Sequence, residues 1–199
     1  MTDGEQPTIV LVPGLRGQTP DHWQERMAAE LPNTRHLPTP GRSEYGLDER
    51  TADLQREVEG ARGPVVLVAH SAGVLVTLHW AQRYRTVVQG ALLATPPDLA
   101  QPLPGEYPSL AELTAAGWLP IPGDRLPFPS IVAASRNDSL ADFARVSGMA
   151  EAWGSQLVDL GQVGHLNPAS GFGDWRWTEP LLQALTSVAG ARGTAQVDA

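Results

Sequence analysis

Five short, continuous apolar runs constrain this chain most. Thr8-Ile9-Val10-Leu11-Val12 stops at Pro13-Gly14, and residues 64–69, 90–95, 130–135 and 156–161 repeat the pattern. Unbroken apolar runs of this length are typical of strands covered on both faces. Residues 34–37 offer a weaker sixth strand. Helical patterns fill the gaps: 21–31 behind Thr19 and Pro20, then 47–59, 71–84, 140–153, and a last one carrying Leu181, Leu182, Leu185 and Val188. Strand, helix, strand with short links predicts right-handed crossovers. The expected architecture is α/β in three layers: a mostly parallel sheet of about six strands with helices on both faces. A chain of 199 residues is one domain's worth and needs no disulfide or metal staple. Residues 1–7 and 190–199 read as flexible tails.

One stretch breaks the rhythm. Residues 96–129 hold nine of the eighteen prolines and one short helix pattern, 109–116. Leu103, Leu113, Trp118 and Phe128 argue that this excursion packs, as a lid, a pocket wall or an interface.

Absences narrow the chemistry. The chain has no Cys and no Lys, and all fourteen basic residues are Arg. Thiolate nucleophiles, Schiff-base lysines and a phosphate-binding P-loop are therefore excluded. A net charge of −8 without a basic run argues against nucleic acid. No HExxH or comparable spacing marks a metal, and no GxGxxG follows the first strand, so no metal or cofactor is expected. The polar N-terminus lacks a secretory pattern and no run is long enough to span a bilayer. The expectation is a cytoplasmic monomer or homodimer.

In a parallel sheet, functional groups collect at the carboxyl ends of the strands. Val68-Ala69-His70-Ser71-Ala72-Gly73 joins a strand to an apolar helix there. A serine on so tight a turn is pushed above the sheet, and its neighbours two before and two after must be small. Ala69 and Gly73 satisfy this, with Ala where the consensus has Gly. Serine is also an ordinary helix N-cap, so the turn needs partners. Asp138 follows the fourth strong run and His165 the fifth, giving the chain order Ser, Asp, His expected on this architecture. His165 would take the Ser71 proton and Asp138 would orient it. Asp98 is the competing acid, and Asp142 lies a helical turn too far along.

The backbone N–H groups of Leu15 and Ala72 are the expected oxyanion donors, with Gly14 letting Leu15 turn inward. Gly14, Arg16, His22 and Trp118 are pocket candidates. His70 should point away from the nucleophile, and His79 reads as a hydrogen-bonded core residue.

Three motifs resemble the small α/β-hydrolase family typified by retinoblastoma-binding protein nine and YdeN. They are Val12-Pro13-Gly14 with Pro20-Asp21-His22-Trp23-Gln24, the Ser71 turn, and Ala152-Trp153-Gly154 continuing through Gly164-His165-Leu166-Asn167 to Ser170-Gly171-Phe172-Gly173. The resemblance implies an α/β-hydrolase fold without a large cap domain. It also implies a reduced sheet whose first strand stands where larger relatives have their third. The family's Ser-Asp-His triad maps onto Ser71, Asp138 and His165. Residues 139–142 depart from the aromatic-containing stretch the family implies. The expected function is serine hydrolysis of a small carboxylic ester through an acyl-enzyme. Two alternatives stand beside it: acyl transfer, cyclisation or thioester cleavage of a biosynthetic intermediate at the same site, and partner binding by a vestigial hydrolase.

Overall fold

The computed structural model of the chain describes residues 6–38, 46–105, 107–176 and 178–193. Six strands form one sheet: β1 (Thr8–Val12), β2 (Thr34–His36), β3 (Val65–His70), β4 (Gly90–Ala94), β5 (Ser130–Ala134) and β6 (Gln156–Asp159). Their order is β2-β1-β3-β4-β5-β6, and every pairing is parallel. Between them run α1 (Trp23–Glu30), α2 (Leu47–Glu59), α3 (Ala72–Arg83), α4 (Leu110–Ala115), α5 (Phe143–Trp153) and α6 (Thr178–Gly193).

Alternation of side chains along each strand builds the layers. Ile9, Leu11, Val66, Val68 and Ile131 face Trp23 and Met27 of α1 and Leu181 and Leu185 of α6. Val10, Val12, Leu67, Ala69 and Val132 face Leu54 of α2, Val74 and Leu78 of α3, and Val146 and Trp153 of α5. Both faces are apolar, which is why the runs read as continuous. The Pro-rich excursion packs, with Leu113, Trp118, Leu126 and Phe128 buried. Its α4 starts in a capping box, in which the Ser109 hydroxyl accepts from the Glu112 N–H and the Glu112 carboxylate accepts from the Ser109 N–H.

Several boundaries differ from expectation. Helix α1 begins at Trp23, because Asp21 sits at φ 60°, outside the right-handed helical region. His22, not Thr19, is the N-cap, its Nδ1 accepting from the Gln24 N–H at 3.2 Å. Helix α5 begins at Phe143 with Asp142 at its N-cap position. Helix α6 runs to Gly193, so residues 190–193 belong to it and not to a tail; residues 1–5 and 194–199 lie outside the described residues.

The chain steps outward from β1 to β2, then returns to the other side of β1 for β3. Connections diverge at such a reversal and leave a crevice at the carboxyl ends of the two strands. Gln24 ties these ends together, its side-chain amide donating to the carbonyls of Val12 (3.4 Å) and Val68 (2.9 Å). Helix α3 starts hard against β1: a Cβ on Gly73 would lie 2.1 Å from the Val12 carbonyl oxygen and 2.8 Å from that of Pro13. Alanine normally favours a helix over glycine by about 1 kcal/mol. Here overpacking, which costs about 1–3 kcal/mol or more, should win. Gly73→Ala is therefore expected to lower the melting temperature in a thermal denaturation; an unchanged or higher value would contradict this contact.

Candidate active site

Ser71 joins β3 to α3 with φ 55° and ψ −126°. A non-glycine residue held there costs about 1–3 kcal/mol and persists only where its surroundings enforce it. The enforcement is visible: the Ser71 N–H donates to the Ala94 carbonyl and its own carbonyl accepts from the Val74 N–H, both at 2.9 Å. Ser71 stands at the N-cap position of α3, but its side chain makes no capping bond there.

Instead the hydroxyl meets His165. Ser71 Oγ lies 2.8 Å from His165 Nε2. His165 Nδ1 lies 2.9 and 3.0 Å from the two carboxylate oxygens of Asp138. A carboxylate only accepts, so Nδ1 carries the hydrogen and Nε2 is left to accept from the serine. The His165 and Asp138 side chains are 7% and 3% exposed, so solvent screens their interaction little. Asp138 also accepts from the Leu140 N–H at 2.9 Å. The competing acid, Asp98, is bound to Arg145 through both carboxylate oxygens (3.0 and 3.2 Å).

The loop carrying His165 is held from four sides. Asn137 Oδ1 accepts from the Gly164 N–H at 2.7 Å, and Ser170 Oγ accepts from the His165 N–H at 3.1 Å. Trp23 Nε1 donates to the Leu166 carbonyl at 3.0 Å. His70 Nε2 donates to the His165 carbonyl at 2.9 Å. His70 thus points away from Ser71, as its strand position requires, but onto the backbone of His165. Nothing local in the sequence marks Asn137, Ser170 or His70 for these tasks.

The β1–α1 loop closes the other side. A Cβ on Gly14 would stand 3.4 Å from Ser71 Cβ, so this loop lies directly against the serine. The N–H groups of Leu15 and of Ala72, in the first turn of α3, donate to no backbone carbonyl among the described residues. Two recesses meet at Ser71. One, of about 190 Å³, is lined by Gly14, Arg16, His22, Gln24, His165 and Asn167. The other is an apolar slot of about 20 Å³ walled by Leu103, Leu113, Trp118 and Leu140. Three pocket candidates therefore fall in the wider cleft and Trp118 in the slot. Arg16 is exposed, its guanidinium 5.5 Å from the Tyr107 ring centre. His79 Nε2 donates to the Trp118 carbonyl of the excursion at 3.3 Å, since a carbonyl only accepts.

A six-stranded parallel sheet flanked by helices, with no cap domain among the described residues, is an α/β-hydrolase fold. The family described as serine hydrolase matches residues 9–184, and the chain belongs to it. A protein of Pectobacterium atrosepticum described as a YdeN-like hydrolase is 30% identical over 92% of each chain, with a TM-score of 0.77. The ydeN gene product of B. subtilis is 18% identical over 92% of this chain and 100% of its own, with a TM-score of 0.68. Est1E from Butyrivibrio proteoclasticus is 11% identical over 97% and 90%, with a TM-score of 0.65, and shares the fold. No curated protein sequence matches the chain. No helix among the described residues is long and apolar enough to cross a membrane.

Burial, then the charge on His165, lowers the His22 pKa to about 4. Burial, then His165 and His22, holds His70 well below its ordinary value. Both rings stay neutral at neutral pH, so no second cation opposes charge on His165. Unfolded, each would protonate near pH 6.5. Stability from these groups is fully present above that pH and is lost as pH falls from about 6.5 towards 4, because only the unfolded chain takes up the protons. The melting temperature is expected to fall over this window, and His22→Gln should shallow the fall; an identical pH profile in the variant would contradict the assignment.

Proposed function

We propose that this serine hydrolase cleaves short-chain carboxylic esters through an acyl-enzyme on Ser71. The observation that carries the reading is the 2.8 Å contact of Ser71 Oγ with an imidazole whose other nitrogen is bound by a buried carboxylate. Three side chains from three separate loops meet in the order that proton transfer needs.

The chemistry follows. Ser71 Oγ attacks the ester carbon while its proton passes to His165 Nε2. Asp138 stabilises the imidazolium, and the Leu15 and Ala72 N–H groups donate to the oxyanion. The bond to the alcohol oxygen breaks and His165 Nε2–H protonates that oxygen. Water then attacks the acyl carbon, gives its proton to Nε2, and the acid leaves as Ser71 regains its hydrogen.

This proton path orients the substrate. The leaving oxygen must lie on the His165 side, so the alcohol occupies the wider cleft and the acyl chain the apolar slot. A slot of about 20 Å³ suits an acetyl or propionyl chain better than a longer one. Leu140, from the segment that departs from the family's aromatic stretch, supplies part of its wall.

Turnover of 4-nitrophenyl esters of graded acyl length tests both parts. Ser71→Ala is expected to lose kcat on the acetyl ester by roughly 10⁴-fold or more. In the wild type kcat/KM should fall beyond propionyl, and Leu103→Ala should move that limit to longer chains. Equal turnover by Ser71→Ala would overturn the mechanism; a wild-type optimum at octanoyl would overturn the assignment of the slot.

A further inference from the structure

Arg50 of α2 is 5% exposed, and the reaction steps above make no use of it. Burying a guanidinium is costly unless it is paired, and the usual partner is a carboxylate. Arg50 instead donates to three successive carbonyls of the β1–α1 loop: Nη2 to Pro13 (2.7 Å) and Gly14 (2.9 Å), and Nη1 to Leu15 (3.3 Å). Its guanidinium carbon lies 5.8 Å from the centre of the Trp118 ring. Burial lowers its pKa to about 10, against the pull of Asp53, so it is a cation at neutral pH.

In a trans peptide the carbonyl of one residue and the N–H of the next point in opposite directions. Turning the Gly14 carbonyl onto Arg50 therefore turns the Leu15 N–H away from Arg50. Gly14 is the residue packed against Ser71, and Leu15 borders both recesses that meet there. A cation bound at a carbonyl also polarises that peptide and makes its N–H a better donor. Ala72 needs no such help, since helix α3 orients its N–H. Leu15 sits in a loop, where a single turn bond from the Gly17 N–H to the Gly14 carbonyl (3.0 Å) holds its peptide plane besides Arg50.

We propose that Arg50 is the positioning residue of the oxyanion site, gripping the Pro13–Leu15 carbonyls so that the Leu15 N–H faces the tetrahedral intermediate on Ser71. The proposal rests on the reading of Ser71 as the nucleophile. It requires Arg50 to matter in the transition state and little in substrate binding.

The test compares wild type, Arg50→Met and Arg50→Lys. Steady-state kinetics use 4-nitrophenyl acetate, and affinity is measured for a short alkylboronic acid, whose serine adduct is tetrahedral and anionic. Loss of one oxyanion donor lowers kcat by about 10²- to 10³-fold. Arg50→Met should show a fall of that size with KM within about threefold, and boronate affinity should fall in parallel with kcat. Arg50→Lys keeps the charge but not the fork of donors, so it should fall between the two; it also reads the same split should the Met variant not fold. A lower melting temperature with unchanged kcat and boronate affinity would overturn the assignment and leave Arg50 as a core residue only. Wild-type protein that neither turns over the ester nor binds the boronate would remove the nucleophile reading, and this proposal with it.

Discussion

The approach of helix α3 to the end of β1 is the constraint on which the site depends. With no side chain at Gly73, the backbone of α3 can start against the Val12 and Pro13 carbonyls. That contact sets the turn at Ser71, whose backbone strain is held by bonds to Ala94 and Val74. It also brings the β1–α1 loop against the serine. One close packing of backbone on backbone therefore places the proposed nucleophile and both proposed oxyanion donors at once, at the point where the strand order reverses.

The rest of the molecule supplies polarity in a controlled way. The carboxylate of Asp138 faces His165 Nδ1, while the neighbouring rings of His22 and His70 are kept neutral by burial. The buried guanidinium of Arg50 binds the carbonyls of Pro13, Gly14 and Leu15. In the proposed mechanism each transient charge then meets a preformed counterpart, a carboxylate for the imidazolium and two N–H dipoles for the oxyanion. Preorganisation of this kind lowers a barrier because nothing has to reorient as the charge develops.

Much of this was legible in the amino-acid order, because it is local. The apolar runs marked the strands, the small residues around Ser71 marked the tight turn, and Asp138 and His165 followed later strands in the order the architecture requires. What was not legible depends on contacts distant in the chain. His70 reaches the carbonyl of a residue 95 positions away, Asn137 a backbone N–H 27 away, and Arg50 a carbonyl 36 away. No spacing rule encodes such partners. The start of α1 departs from the local pattern for a related reason: Thr19-Pro20 is a sound helix opening by itself, but Asp21 adopts a positive φ and His22 caps the helix instead.

A crystal structure of the protein after reaction with a small phosphonate ester would test the central claim most directly. The account predicts phosphorus bonded to Ser71 Oγ, with its non-bridging oxygen within about 2.7–3.1 Å of both the Leu15 and Ala72 nitrogens. His165 should remain between Ser71 and Asp138. An adduct on another residue, or a Ser71 adduct whose oxygen faces solvent while His165 has parted from Asp138, would contradict it.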